Sequence, residues 1–406
     1  MDNWMDLDKI YMMSAYERLP VAITGGEGST LYDVNGRAYL DLFSGVGVNL
    51  LGYGHPEIMK AATEQVANCL HLPFHFLNPV AIKYAKKLVD HSLKAGKVFF
   101  TTSGAEATES TIKLIHKFKQ KAGDVRDGIV VLKNSFHGRT LGALPLTRQK
   151  GVYQDYPCHS ITIHEVERED VDGLVKVIHQ QHPIAVMIEP VMGSGGIYPL
   201  SGEYIRKIEE LCRENHMLFI VDEVQCGMGR TGKLFAYQHH GVTPDIVQFG
   251  KGAGGGAAFG GIIAGPRVHD CFAPGDHGTT FAQPPLSTAL GLAVLKVLLD
   301  DGMMEKGYET SQYLYKKLSE IQKKHADYIT DLRYSGMMFG MSVNDTAANV
   351  KKIQRKLLND GMLVDVTQGN IIRLLPPLVL TKQEVDRFID AFQSHLPTPV
   401  LAAIGC

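Results

Sequence analysis

The sequence of 406 residues lacks the features that mark several classes of protein. No apolar stretch approaches the roughly 18 residues of a membrane-spanning helix, and the opening MDNWMDLDKI has no apolar run of a signal peptide. The formal net charge of -2 is not the basic excess that nucleic-acid or membrane-surface partners usually require. The cysteines form no Cys-x-x-Cys pair, which favours reduced thiols over a disulfide framework or a zinc site. They are Cys69, Cys158, Cys212, Cys226, Cys271 and Cys406. We therefore expect a soluble, cytoplasmic protein with no metal, no nucleic-acid partner and no membrane attachment.

Internal repeats and low-complexity linkers are also absent, so hydrophobic patterning has to reveal the organisation. The pair Asn35-Gly36, between the segments 30–33 and 37–41, favours a tight hairpin turn. From about residue 55, short apolar segments alternate with segments of helical periodicity. The predicted strands are 97–101, 128–132, 184–188, 218–221, 246–249 and 261–264, and the clearest predicted helices are 105–121, 204–215, 285–301 and 309–325.

Short, continuously apolar strands between helices predict an α/β fold with a mostly parallel sheet covered on both faces. Ligands of such sheets gather at the carboxyl ends of the strands. We expect three segments: an N-terminal part of a small domain at 1–50, a large domain at 51–290, and the rest of the small α+β domain at 291–406.

A run of small residues, Thr102-Ser103-Gly104-Ala105, joins the predicted strand 97–101 to a predicted helix. Small side chains let a ligand approach the backbone, and the N–H groups and positive dipole end of a helix N-terminus attract phosphate. A plain helix N-cap is the commoner role of a serine in the position of Ser103. Both interpretations stay open at this point.

Charged groups follow two further predicted strands. Asp222 and Glu223 come directly after 218–221, where a carboxylate usually binds a cation, a magnesium ion or a protonated ring nitrogen, because burying it unpaired is costly. A solvated loop acid is the alternative. Lys251 follows 246–249 among glycines, where loss of hydration would lower its pKa and free its amine as a nucleophile. An ordinary lysine on a flexible surface loop is the alternative there.

Two motifs are more ambiguous. Phe136 follows strand 128–132 and could stack on a planar ring, although most such phenylalanines belong to the core. We expect its neighbour His137 to be a hydrogen-bonded structural residue. The segment 227–233 fits the first seven positions of a P-loop, but Leu234 lacks the hydroxyl group that would bind magnesium. A nucleotide site is therefore disfavoured.

In this order, the motifs resemble the class III aminotransferases of the fold-type I pyridoxal-phosphate (PLP) enzymes, over essentially the whole chain. The segment 45–56, GVGVNLLGYGHP, is similar to the acetylornithine and ornithine aminotransferase group. The segment 219–251, with its Asp-Glu-Val-Gln run and a Pro-Asp pair before the lysine, is the most specific part of the resemblance. It implies a large PLP-binding domain, a smaller domain built from both chain ends, and PLP as cofactor.

The resemblance also implies a role for each site residue. Lys251 would form the Schiff base with PLP and shuttle a proton, while Asp222 would keep the pyridinium nitrogen protonated. The other implied cofactor contacts are Ser103, Gly104 and Ala105 at the phosphate, Phe136 and Val224 on the two ring faces, Gln225 at the phenolic oxygen, and Thr280 at the phosphate of the partner subunit. Thr280 therefore implies a homodimer with the site at its interface.

On the substrate side, the resemblance implies that Arg373 binds the α-carboxylate, with Arg139 and Ser194 close by. Ser194 is a departure, because the related enzymes usually carry a glutamate there, directly after Gly193, that neutralises the arginine in one half-reaction. We therefore expect Arg373 to stay unpaired by that route and to favour α-amino acids over the δ-amino group of ornithine.

The implied function is transfer of an amino group from an amino acid or ω-amino acid to a 2-keto acid. The same scaffold supports PLP-dependent racemases, epimerases and decarboxylases, and a fold alone does not choose among them. Phe259 and Gln283 also depart from the family pattern on the substrate side.

Overall fold

The structure is a computed structural model that describes residues 3–156 and 161–398, so Cys158 and Cys406 lie outside the described residues. Its helices are α1 (Trp4–Tyr11), α2 (Ser44–Gly47), α3 (Pro56–Asn68), α4 (Pro79–Asp90), α5 (Gly104–Ala122), α6 (Lys150–Tyr153), α7 (Val171–Gln181), α8 (Gly202–Glu214), α9 (Pro285–Leu299), α10 (Met303–Lys324), α11 (Ala347–Asn359) and α12 (Lys382–Ser394). Short 3₁₀ helices lie at Leu144–Leu146, Ala236–His239 and Lys251–Gly254.

The strands are β1 (Ile23–Glu27), β2 (Thr30–Asp33), β3 (Ala38–Asp41), β4 (Lys97–Thr101), β5 (Ile129–Leu132), β6 (Ile163–Val166), β7 (Ala185–Ile188), β8 (Val191–Met192), β9 (Tyr198–Pro199), β10 (Leu218–Asp222), β11 (Ile246–Gly250), β12 (Gly260–Ala264), β13 (Ile329–Tyr334), β14 (Phe339–Val343), β15 (Met362–Leu363), β16 (Asp365–Thr367) and β17 (Ile371–Leu374).

The main sheet has seven strands in the order β4-β12-β11-β10-β7-β5-β6. Its neighbours from β11 to β6 are parallel, whereas β12 runs antiparallel to both β11 and β4. The predicted mostly parallel sheet of an α/β fold is therefore confirmed. All six predicted strands are present, and the predicted helices overlap α5, α8, α9 and α10.

The central strands are mostly apolar because both faces of the sheet are covered. In β10, every residue is buried. Leu218 and Ile220 pack into one hydrophobic cluster, while Phe219 and Val221 pack into another on the opposite face. This double burial explains why these strands show no alternation of polar and apolar residues in the sequence.

Both chain ends contribute to the smaller sheets. The predicted hairpin is confirmed: β2 and β3 pair antiparallel around the Asn35-Gly36 turn, where Gly36 has φ 78°. The C-terminal strand β15 then pairs parallel to β3, in a sheet of order β1-β2-β3-β15. A separate antiparallel sheet has the order β13-β14-β17-β16. The boundaries 1–50, 51–290 and 291–406 stay a prediction.

No helix in the described part of the chain is both long and apolar enough to cross a membrane. Within the same residues, no group of three or more histidine, cysteine, aspartate or glutamate side chains is placed to hold a metal ion.

Candidate active site

One cavity of about 250 Å³ lies at the carboxyl ends of β10 and β11, beside the N-terminus of α5 and the loops after β5 and β7. It is the position that the parallel-sheet rule predicts for a ligand. The lining residues are Gly104, Ala105, Phe136, His137, Gly138, Arg139, Glu189, Ser194, Asp222, Val224, Gln225 and Lys251. The fold thus brings together most residues predicted for the site, from five separate parts of the chain.

Asp222 ends β10 and is 4% exposed. Its Oδ2 lies 2.7 Å from His137 Nδ1, and its Oδ1 accepts the backbone N–H of Val224 at 3.0 Å. Because a carboxylate can only accept here, Nδ1 is the nitrogen of His137 that carries the proton. The prediction of a hydrogen-bonded structural His137 is confirmed, and its ring also lines the cavity. These two bonds offset the cost of burying the Asp222 charge.

Lys251 begins the 3₁₀ helix directly after β11 and has φ 42°, in the left-handed region that a non-glycine residue rarely adopts. Burial lowers the pKa of its ammonium group, opposed by the nearby carboxylates of Asp222 and Glu189 and reinforced by the positive charge of Arg373. A lowered pKa increases the fraction of free amine, which is the nucleophilic form. Lys251 shares the lining of the cavity with Asp222 and Glu189.

The N-terminus of α5 approaches Val224 so closely that only glycine fits at the first helical residue. A Cβ atom on Gly104 would lie 2.6 Å from Val224 Cγ1. Ser103 is exposed, and its Oγ accepts the backbone N–H of Glu106 at 3.2 Å as the N-cap. Ser103 is not part of the cavity lining, whereas Gly104 and Ala105 are. They lie at the helix N-terminus, where an anion is favoured.

Glu189 is a cavity residue that the sequence analysis missed. It follows β7 directly, is 6% exposed, and accepts the backbone N–H groups of Phe136 at 2.9 Å and Gly193 at 3.1 Å. Burial raises the pKa of its carboxyl group to about 7, opposed by His137 and by the two N–H donors and reinforced by Asp222. The rule applied to Asp222, a carboxylate directly after a buried strand, would have found it.

Arg373 is not unpaired, so the expectation of a free guanidinium is wrong. Its Nε donates to Asp365 Oδ2 at 2.8 Å, and its Nη2 lies 2.8 Å from the same oxygen. Its Nη1 donates to the carbonyl of Gly193 at 3.2 Å, and its guanidinium lies 5.4 Å from the centre of the Phe43 ring. Asp365 could not be found from the sequence, because its pairing with Arg373 depends on the register of β16 against β17.

Of the remaining predicted residues, Ser194 and Arg139 line the cavity and Thr280 does not. Ser194 Oγ donates to Gln149 Oε1 at 3.4 Å. Arg139 is exposed, with its guanidinium 5.7 Å from the centre of the Phe136 ring. Thr280 is exposed on the connection between β12 and α9 and does not belong to the cavity lining of this single chain.

The P-loop-like segment 227–233 has another role. Its Arg230 is 1% exposed and donates to the carbonyl groups of Gly47 at 3.3 Å, Met337 at 3.4 Å and Pro376. A P-loop feeds directly into an α-helix, whereas this segment leads to the 3₁₀ helix Ala236–His239. Arg230 thus ties together backbone from distant parts of the chain.

Comparison with known proteins identifies the family. The family model described as aminotransferase class-III matches residues 11–396. The chain belongs to the class III aminotransferases. This class III aminotransferase is 39% identical to an acetylornithine aminotransferase of Caldanaerobacter subterraneus, over 96% of this chain and 98% of the relative. It is 38% identical to an acetylornithine aminotransferase of Methanocaldococcus jannaschii, over 96% of this chain and 97% of the relative.

Solved structures agree with this assignment. The ornithine aminotransferase from Toxoplasma gondii ME49 superposes with a TM-score of 0.92 at 27% identity, covering 97% of this chain and 94% of that one. The acetylornithine aminotransferase from Elizabethkingia anophelis gives a TM-score of 0.85 at 29% identity, covering 97% of each chain. The fold-type I architecture is therefore confirmed.

PLP is the cofactor of this class III aminotransferase, and the cavity fits it. The carboxylate of Asp222 is anchored by two hydrogen bonds, as a partner for a protonated ring nitrogen must be. Gly104 leaves no room for a side chain at the helix N-terminus. The Oε1 atom of Gln225 is buried, with no hydrogen-bond partner among the described residues. Lys251 offers an amine of lowered pKa to an aldehyde.

Proposed function

We propose that this class III aminotransferase transfers the terminal amino group of an acetylornithine-type ω-amino acid to a 2-oxo acid, with Lys251 and Asp222 as its catalytic residues. The observation that carries the proposal is the pairing of a desolvated lysine with an anchored, buried carboxylate in one cavity. Bound PLP supplies the electron sink for this chemistry. The amine of Lys251 would hold the cofactor and would move the proton at the reacting carbon of the substrate.

The other residues would hold the cofactor in place. Asp222 keeps the ring nitrogen protonated, and His137 fixes the orientation of the Asp222 carboxylate. The remaining proposed contacts are Ser103, Gly104 and Ala105 with the phosphate, Phe136 and Val224 with the two faces of the ring, and Gln225 with its phenolic oxygen. Together they set which bond of the substrate lies perpendicular to the ring, and that bond is the one that reacts.

The choice of donor draws support from the relatives and from Arg373. Several relatives at 35–39% identity are acetylornithine aminotransferases. Their donor carries its reacting amine far from its α-carboxylate. Because Asp365 already neutralises Arg373, the site does not require a carboxylate beside the reacting amine. The acceptor is a 2-oxo acid, with Arg373, Arg139 and Ser194 on its side of the cavity.

We further propose a cytoplasmic homodimer with the active site at its interface, and Thr280 reaching the partner's phosphate site. Large apolar side chains are exposed in the loop that carries Thr280 and in the segment 70–82. They are Leu70, Phe74, Phe76, Leu77, Ile82 and Phe281, each more than half exposed. Phe74 and Ile82 also line a second cavity of about 540 Å³ together with Gly278 and Gln283. Monomers rarely leave so large an apolar surface in water.

One experiment tests the function. The holoenzyme is mixed with single amino donors in the absence of an acceptor, and the absorption spectrum of the cofactor is recorded. We expect N-acetylornithine and related ω-amino acids to convert the cofactor to its aminated form. If donors are instead racemised or decarboxylated while the spectrum returns to its starting form, the proposed transfer is wrong. Light scattering of the same sample tests the dimer, which an active monomer would contradict.

A further inference from the structure

The charge of Arg373 is cancelled by a residue of its own sheet. Asp365 and Arg373 are direct partners in the antiparallel pair β16–β17. The Arg373 side chain is 7% exposed and that of Asp365 is 22% exposed. Among the described residues, Asp365 supplies the only carboxylate within 4.0 Å of the guanidinium. The pair therefore carries no net charge, although Arg373 lies close enough to Lys251 for its charge to lower the pKa of that lysine.

The guanidinium still has unused donors. It carries five N–H groups, and the contacts with Asp365 and the Gly193 carbonyl involve one on Nε, one on Nη2 and one on Nη1. At least one N–H group thus remains on each terminal nitrogen, and these two nitrogens can bind a carboxylate end-on. An incoming carboxylate would, however, meet a neutral pair and the negative charge of Asp365 in a buried site, where repulsion is poorly screened.

We infer that Asp365 is a specificity-determining residue that competes with the substrate carboxylate for Arg373; this deepens the proposed function and rests on it. While Asp365 holds Arg373, the site admits an amino donor with no carboxylate beside its reacting amine. When a 2-oxo acid binds, its carboxylate replaces Asp365 on the guanidinium, and the partly exposed Asp365 side chain turns to water. One pocket therefore serves both substrates in turn.

The loop that carries Ser194 contacts the same arginine through the neighbouring Gly193. The Ser194 carbonyl accepts Thr367 Oγ1 at 2.9 Å and Gln368 Nε2 at 3.1 Å, and the carbonyl of the preceding Gly193 accepts Arg373. Since Thr367 belongs to β16, as Asp365 does, the Ser194 loop and the acid are fixed to one strand. A carboxylate at either position 194 or position 365 would thus be held close to Arg373.

This arrangement suggests a charge-relocation experiment with the holoenzyme. Propanoate is the probe and propanamide its uncharged analogue, and calorimetric titration gives both dissociation constants without turnover. The variants are Asp365→Asn, the double variant Asp365→Asn with Ser194→Glu, and Asp365→Asn with Arg373→Ala. Asp386→Asn is the matched control, since it removes one charge from an exposed aspartate in α12, which the site does not use.

We expect Asp365→Asn to bind propanoate at least about tenfold more tightly than the wild type, since close charge pairs in protein interfaces couple this strongly. Propanamide binding should not change, and Ser194→Glu should restore weak propanoate binding in the double variant. The kcat/KM for N-acetylornithine, relative to that for an α-amino acid, should fall in Asp365→Asn. Adding Arg373→Ala to Asp365→Asn should abolish the gain, which would show that the probe binds at Arg373.

Unchanged or weaker propanoate binding in Asp365→Asn would overturn the inference, because Asp365 would then only clamp the arginine. If that variant does not fold, Asp365→Glu and Ser194→Glu test the inference in its place. Asp365→Glu retains the negative charge and Ser194→Glu adds one, so propanoate binding should stay weak in both. Tighter binding in either would overturn the inference. If none of the amino donors converts the cofactor of the wild type to its aminated form, the proposed function is contradicted instead. The propanoate titration does not depend on that result.

Discussion

His137 Nδ1 lies 2.7 Å from Asp222 Oδ2, and both residues are almost completely buried. The imidazole proton fixes the plane of the carboxylate, while the backbone N–H of Val224 holds its other oxygen. Asp222 is thereby kept in one orientation at the end of β10, and it lines the same cavity as Lys251. The cavity combines an anchored carboxylate with a buried amine, and this combination determines the expected effects of the variants at Asp222 and Lys251.

Asp222→Asn should retain the cofactor but lower kcat by at least about two orders of magnitude, as expected for loss of a group that controls a proton in the reaction. A neutral amide cannot favour the protonated ring nitrogen, so the electron sink is weakened. Stopped-flow measurement of the amination half-reaction checks this, with the exposed Asp90→Asn as control. Near-wild-type kinetics would mean that the carboxylate serves only the structure.

Lys251→Ala should abolish turnover and the absorption band of the covalently bound cofactor, because no other lysine lines the cavity in the described part of the chain. The far-ultraviolet circular dichroism should not change, since Lys251 follows β11 and lies in the cavity lining, outside the hydrophobic core. Lys323→Ala, at an exposed position near the end of α10, is the control. Activity that survives in Lys251→Ala would rule out its catalytic role.

The parts of this structure that could be predicted from sequence are those with a local physical cause. β10 and β11 are buried on both faces and largely apolar, with Gln248 and the terminal Asp222 as their polar residues, so their positions and the positions of Asp222 and Lys251 followed directly. β6 was missed because it is an edge strand, exposed in part and carrying the polar pair His164 and Glu165. Such a strand has little to distinguish it from a loop.

The Asp365–Arg373 pair shows where sequence analysis stops. The two residues are eight positions apart, on different strands, and they meet only because β16 and β17 pair in one particular register. A shift by one residue would turn either side chain to the other face of the sheet. The absence of a glutamate at position 194 is visible in the sequence. The acid that pairs with Arg373 in its place, Asp365, could be located only from the pairing of the strands.

Gly104→Ala should weaken PLP binding by about tenfold or more, because the added methyl group would clash with Val224 and push the helix N-terminus from the phosphate. The double variant Gly104→Ala with Val224→Ala removes the clash and should recover part of the affinity. Fluorescence titration of the apoenzyme with PLP measures both constants. Gly151→Ala is a control at a glycine where an added Cβ atom meets nothing within 4 Å. If Gly104→Ala binds PLP as the wild type does, the close approach of α5 has no role in binding.

Glu189 should make the stability of the protein depend on pH. Burial raises the pKa of its carboxyl group from 4.5 to about 7, so the folded state holds a proton that the unfolded state has already released. The folded state therefore binds more protons between these values, and stability must fall as pH rises through this window. In Glu189→Gln this contribution is absent. Relative to the wild type, the free energy of unfolding of the variant should therefore rise by up to about 3 kcal/mol between pH 4.5 and pH 7.5, because one bound proton contributes about 1.4 kcal/mol over each pH unit of the window.

Urea unfolding of the apoenzyme at a series of pH values measures this difference. The glutamine loses one of the two acceptors that bind Phe136 and Gly193, so the variant should be less stable than the wild type at pH 4.5. Only the change with pH reports the titration of Glu189. The exposed Glu17→Gln is the control, and its difference from the wild type should not rise over this range, since the pKa of Glu17 is lowered. A constant difference for Glu189→Gln from pH 4.5 to pH 7.5 would show that Glu189 is already ionised at the lower pH, held as an anion by its two N–H donors.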